Sequence, residues 1–286
     1  MAGEKTRAAI AAQPEWLAQV PSSLRLAEGR AVAVGCGTSF HAAQTSGSGY
    51  DALDFLLDPP EADLLVLVSH EGGTPLTVEA AESFAGPRWL VTGKVDSPLG
   101  ALADEVVLAT PALEESYCHT VSYTCAVAAL AALRGEDVAW LPEAVAEVLA
   151  GKRLPVSAHE RFLVAGAGPD WPTAQEAALK LREGVHVATE AHRLEELLHG
   201  HLAAVDQTVR CFVLEGEGRA AARAAEAVAA LRALGCDVTL VPTRHPVVDI
   251  VPFQLLTVDL ADARGIDPDV IRRDDPRWQA ARDAYA

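Results

Sequence analysis

The sequence predicts an α/β protein in which parallel strands alternate with helices, and three observations carry that prediction. Half of the 286 residues are apolar but only 5% are aromatic, a composition that suits helices over buried parallel strands better than a sandwich or barrel. The pattern of strand, small-residue turn and helix occurs twice at corresponding places. The chain is also about twice the usual domain length, so two domains are expected.

Taken in order, the opening MAGEKTRAAIAAQPEWLAQV has no continuous apolar run of the kind a leader needs and reads as an amphipathic leading helix. AVAVGCGTSFHAAQTSG (31–47) and LLVLVSHEGGTPLTVEAAE (64–82) each read as strand, glycine turn and helix, and WLVTG and VVLATP as further strands. A helix beginning after Pro142 is interrupted near ALAGKRLPVSAHE, where Gly151 and Pro155 mark the join. The domains are therefore 1–152 and 153–286. FLVAGAGPDWPTAQEAALK (162–180) and CFVLEGEGRAAARAAEAVA (211–229) repeat the first pattern, with DVTLVP and the apolar VPFQLLTVDLA as further strands. The closing RGIDPDVIRRDDPRWQAARDAYA is too polar for a core and reads as a loop and short helix on the surface. Right-handed crossovers make each half a small parallel sheet with helices on both faces.

The net charge of −17, with no basic block, argues against a nucleic-acid or anionic membrane surface. It also repels a phosphorylated metabolite at long range, so a phosphate has to be caught by local donors. Five cysteines with no CxxC pair favour reduced thiols and a cytoplasmic location. No stretch approaches the roughly 20 apolar residues that span a bilayer. His186, His192, His199 and His201 form no HxxxH pair with a matching carboxylate, so neither a metal nor another cofactor is expected.

Two loops stand where a doubly wound sheet binds ligands. Gly35-Cys36-Gly37-Thr38-Ser39 follows one strand, and Ser69-His70-Glu71-Gly72-Gly73-Thr74 follows another, with Thr74 suited to N-cap and Pro75 to the first helical position. Singly, each reads as an ordinary turn or as a phosphate loop. A dinucleotide fingerprint fits less well, because the third glycine is missing after both Gly35-Cys36-Gly37 and Gly166-Ala167-Gly168. Lys180 and Glu183 share one face of a helix, and His199 lies in a Leu-His-Gly turn. With only four lysines against nineteen arginines, a lysine at 180 is mildly informative.

GCGTSFHA, SHEGGT and above all ALKLREGVHVATEAHRLEELLHGHLAAVD resemble the sugar isomerase (SIS) family, and within it the isomerase half of the glucosamine-6-phosphate synthases. The resemblance runs from about residue 13 to about residue 275. It implies two tandem SIS domains, each a doubly wound, flavodoxin-like sheet. It also implies Glu183 as the base that shuttles a proton, His199 as the ring-opening group and Lys180 as a positioning cation. Gly37, Thr38, Ser39, Ser69, His70, Glu71, Thr74, Glu115 and Thr120 are then the residues expected around a sugar phosphate, in a homodimer whose His segment comes from the other subunit.

Three departures bear on the reaction. Glu71 stands where the family's second loop has a second serine, the Ser-Thr-Lys loop reads His119-Thr120-Val121, and no lysine follows Lys180 to form an imine from the C-terminal tail. The chain begins without an N-terminal cysteine nucleophile, so glutamine-dependent amination is not expected. The expected activity is isomerase, deaminase or deglycase chemistry on an amino- or keto-hexose phosphate. The rival expectation is a sugar-phosphate sensor without catalysis.

Overall fold

Short apolar runs become parallel strands, and most lead into helices, in the computed structural model, which describes residues 2–26 and 28–285. The first half contains α1 (Glu4–Leu17), β1 (Ala31–Gly35), α2 (Thr38–Gln44), β2 (Gly49–Asp51), α3 (Ala52–Leu57), β3 (Leu64–Val68), α4 (Pro75–Ser83), β4 (Arg88–Thr92), α5 (Pro98–Leu102), β5 (Glu105–Leu108), α6 (Val121–Leu133) and α7 (Leu141–Ala150). The second contains β6 (Arg161–Gly166), α8 (Trp171–Val185), β7 (Ala188–Arg193), α9 (Leu194–Leu198), β8 (Val209–Leu214), α10 (Arg219–Ala233), β9 (Asp237–Val241), α11 (Pro246–Asp249), α12 (Val251–Arg264) and α13 (Pro276–Asp283).

All strand pairs are parallel, in the orders β2-β1-β3-β4-β5 and β7-β6-β8-β9. Each sheet starts from its second position and reverses direction, which is where a doubly wound sheet leaves room for a ligand beyond the strands' carboxyl ends, and in the first sheet a crevice opens there beyond β1 and β3. The internal repeat in the sequence is thus a repeat of topology.

The second sheet has four strands because VPFQLLTVDLA, expected as a strand, is helix α12. Val251, Phe253, Leu255, Leu256, Val258 and Leu260 are all buried, and α12 packs against α8. A helix apolar on nearly every side carries no amphipathic period, so its residues read equally well as a buried strand. One apolar cluster runs unbroken from Val66 and Val107 of the first sheet, through α6, α8 and α12, to Val164 and Phe212 of the second. This sets α8, a helix of the second half, against α2 of the first.

The tail also departs from expectation. Asp269 is buried and accepts hydrogen bonds from the Lys5 and Thr6 amides at 3.0 and 2.7 Å and from Thr6 Oγ1 at 2.6 Å. A carboxylate there satisfies amides that open α1 and complements the positive end of its dipole. The tail is thereby pinned to the first half, and no described residue beyond Asp269 is buried.

Candidate active site

The crevice over the first sheet is a cavity of 560 Å³. Its floor follows from one tight approach and one hydrogen-bonded loop. A Cβ on Gly35 would lie 2.7 Å from the Ser39 carbonyl carbon, so only glycine lets α2 start directly against β1 and bring Thr38 and Ser39 to the cavity wall. Gly37 itself does not line the cavity, and its φ of +55° makes the turn. On the neighbouring loop, Ser69 Oγ accepts the Gly72 N–H at 3.2 Å and lies 3.4 Å from Thr74 Oγ1. Thr74 is the N-cap of α4 with Pro75 next, as expected. These four hydroxyl residues line one space.

Beside them stands a polar cluster on α8. Glu176, Lys180 and Glu183 fall at i, i+4 and i+7, one face of the helix. That face meets α2 rather than solvent. Lys180 is wholly buried, with Nζ 3.3 Å from Glu176 Oε1 and 2.6 Å from Glu183 Oε2, and it donates to Thr38 Oγ1 at 3.2 Å. Thr38 Oγ1 in turn donates to Glu176 Oε1 at 3.2 Å, and His41 Nδ1 meets Glu176 Oε2 at 2.7 Å. Burial opposes the charge on Lys180, yet Glu176 and Glu183 hold its pKa well above the ordinary lysine value. Burial likewise opposes ionisation of Glu176, but Lys180 and His41 bring its pKa below the usual carboxylate value. Glu183 alone of the three is partly exposed, and it lines the cavity.

The third wall is the segment before α6. Glu114, whose side chain is fully buried, accepts the Thr120 N–H at 2.8 Å, Thr120 Oγ1 at 2.8 Å, the Ser122 N–H at 2.9 Å and Ser122 Oγ at 2.6 Å. It gathers the loop into the first turn of α6 and sets His119 and Ser122 on the cavity. Glu114 was not singled out from the sequence, nor were Glu176 and His41. For Glu176 a signal was available in its spacing from Lys180. Glu115, which was singled out, points away and lies 3.5 Å from Lys5. The Thr120 hydroxyl is spent on Glu114.

His70 lines the cavity, and its Nε2 accepts the Glu114 N–H at 2.9 Å. Burial, helped by neighbouring His119, lowers its pKa to about 4, so it is a neutral acceptor. Glu71 is exposed and lines the cavity together with Lys94 and Arg273. Arg273 comes from the tail, its guanidinium 4.1 Å from the centroid of Tyr117. His199 lies elsewhere. Its side chain is 68% exposed at the end of α9, 2.8 Å from Glu195 and 3.3 Å from Arg223, and it does not line the cavity of its own chain.

A parallel-sheet crevice floored by serine and threonine hydroxyls and flanked by a buried Lys–Glu pair has the donors to grip an anion and a carboxylate placed to move a proton beside it. Solved structures agree on the fold. The C-terminal domain of glucosamine-fructose-6-phosphate aminotransferase from Francisella tularensis superposes with a TM-score of 0.79 at 20% identity, covering 93% of this chain and 98% of that one. Glucosamine-6-phosphate deaminase from Thermotoga maritima gives 0.74 at 20% identity over 93% and 97%. Tagatose-6-phosphate ketose/aldose isomerase from Escherichia coli gives 0.75 at 18% over 94% and 95%.

The sequence relatives are more particular. The chain is 25% identical over 304 residues to the isomerizing glutamine–fructose-6-phosphate aminotransferase of Zymomonas mobilis, covering 84% of this chain and 50% of that protein. It is 29% identical over 255 residues to that of Thermus thermophilus, covering 72% and 42%. The chain thus spans about half the length of the curated relatives it matches. No family model matches it. The resemblance to the SIS family holds in sequence and in fold, and the sequence relatives are the isomerizing aminotransferases.

Proposed function

We propose that the chain is a phosphosugar isomerase, deaminase or deglycase acting on an amino- or keto-hexose phosphate. The observation that carries this reading is the 2.6 Å contact between Lys180 Nζ and Glu183 Oε2 at the wall of the cavity. Moving a proton between adjacent sugar carbons needs a carboxylate that stays ionised at the substrate. Lys180 supplies the compensating charge from behind, and Glu183 takes the proton next to the carbonyl and returns it to the neighbouring carbon through an enediol or enamine. Ser39, Ser69, Thr74 and the amides that open α4 hold the phosphate.

In this reading the two sheets are two tandem SIS domains, 1–152 and 153–286, in a cytoplasmic homodimer. His199 then reaches the sugar from a second copy, which fits its exposure on this one. Lys94 and Arg273 offset the carboxylate that Glu71 brings to the cavity.

The test is Glu183→Gln on a panel of hexose phosphates and amino-hexose phosphates. A loss of at least about 100-fold in kcat is expected, and turnover that survives unchanged removes Glu183 as the base. A second reading, a sugar-phosphate sensor, is favoured by Glu71 in the cavity. A ligand that raises the melting temperature and is never converted, by any panel assay, selects the sensor.

A further inference from the structure

One imidazole in the cavity has no role in the chemistry above. His119 lines the same space as Glu183 and is held from behind. Ser122 Oγ donates to Glu114 Oε2 at 2.6 Å, so its lone pairs are what His119 Nδ1 meets at 3.3 Å. Nδ1 therefore carries the proton and donates, and Nε2 keeps its lone pair. Among the described residues no hydrogen-bonding partner occupies Nε2. The carboxylate behind the serine lies 3.8 Å from Nδ1. Burial alone would raise the pKa of Glu114, but the hydrogen bonds of His119 and Ser122 bring it below the ordinary value, so a carboxylate anion stands behind the ring. The rings of His119 and His70 pack at a steep angle, with centroids 5.4 Å apart, which limits the rotation of His119.

An imidazole oriented by a buried carboxylate, with a free nitrogen in a cavity, is the arrangement of a general base. We infer that His119 is a catalytic acid–base residue of this cavity, opening the sugar ring on the same chain that carries Glu183. The inference rests on the proposed sugar-phosphate reading and makes the first proton transfer independent of His199 from a second copy. In the step, Nε2 takes the proton of the anomeric hydroxyl and the O–H electron pair becomes the second bond of the carbonyl. The bond from the anomeric carbon to the ring oxygen breaks, and its electron pair takes a proton from water. The imidazolium then returns its proton to the hydroxide left behind. Nothing is oxidised or reduced.

The experiment uses the full chain and two forms of whichever hexose phosphate the panel shows to turn over: the natural cyclising sugar and its analogue lacking the ring-closing hydroxyl. His119→Ala should lose about 100-fold in kcat on the cyclising sugar and less than about threefold on the open-chain analogue, with added imidazole restoring part of the loss. Glu183→Gln should lose both. Equal activity of His119→Ala and wild type on the cyclising sugar overturns the inference, as does an equal loss on both sugars without rescue by imidazole. Should the alanine variant misfold, the His119 ring proton resonances of the wild-type protein decide: they shift on adding the sugar if Nε2 meets it, and their standing still overturns the inference. A wild-type protein inert to the whole panel removes the proposed function itself, which is a different result from an active protein indifferent to His119.

Discussion

Lys180 Nζ lies 3.3 Å from Glu176 Oε1, and both side chains are wholly shut off from solvent. Glu176 is thus the permanent counter-ion that lets a lysine stay charged in the core, while Glu183 is the partner that also faces the cavity. Removing one member of a buried pair leaves the other charge uncompensated, which costs more than the pair contributes. Glu176→Gln should destabilise the fold by about 3 kcal/mol, read as a lowered urea midpoint at pH 7. A change within about 0.5 kcal/mol of wild type, the range of ordinary surface substitutions, would show that Lys180 needs no second carboxylate.

Asp249, at the end of α11, behaves in the opposite sense to a paired carboxylate. It is buried and accepts the Arg244 N–H at 2.8 Å, and burial pushes its pKa from 3.8 up to about 7. Between those two values the folded protein keeps a proton that the unfolded chain has released, so stability falls as pH rises through this window and levels off above it. Its contribution should drop by about 2 to 3 kcal/mol between pH 5 and pH 8. The measurement is the difference in unfolding free energy between wild type and Asp249→Asn at the two pH values, which isolates this carboxyl from the others. A difference that does not change with pH contradicts a raised pKa.

Two glycines of the first loop should respond differently to alanine. At Gly35 the new Cβ meets backbone, the Ser39 carbonyl at 2.7 Å and the Phe40 nitrogen at 2.9 Å, so α2 has to move and takes Thr38 and Ser39 with it. At Gly37 nothing lies within 4 Å and the strain comes only from φ of +55°. Gly35→Ala should cost about 3 kcal/mol and weaken sugar-phosphate binding, whereas Gly37→Ala should cost about 2 kcal/mol. Melting temperatures in the reverse order would mean that α2 is not seated on β1 as described.

Much of this arrangement is legible in the sequence. The two strand–glycine–helix repeats, the N-cap at Thr74 and the helical face of Lys180 and Glu183 all follow from local spacing. What stayed hidden depends on contacts across the chain. Lys180 and Glu183, taken alone, have the spacing of an exposed surface pair. Only the packing of α8 on α2 buries Lys180 and gives Glu176 its meaning. The buried role of Glu114 was equally invisible, because neighbouring Glu115 has the same chemistry and the choice between them is made by which side of the loop faces the core. Helix α12 was misread for the converse reason, since complete burial erases the period that distinguishes helix from strand.

The last prediction concerns charge in the cavity. Glu71, Lys94 and Arg273 line it together, and no ion pair joins them among the described residues, so each is open to a ligand. A phosphate dianion held near Ser69 and Thr74 meets repulsion from Glu71 and attraction from the other two, and in a cavity the attraction is less screened than at an open surface. Charge-assisted hydrogen bonds contribute about 1.5 to 3 kcal/mol each, and about 1.4 kcal/mol is a factor of ten in affinity. Lys94→Ala and Arg273→Ala should therefore each raise KM for a phosphorylated sugar by about tenfold or more while leaving binding of the unphosphorylated sugar unchanged. Glu71→Ser should lower KM for the phosphorylated sugar. If Glu71→Ser instead weakens binding of an amino sugar and leaves other sugar phosphates unaffected, the carboxylate reads the amine and the phosphate lies out of its reach.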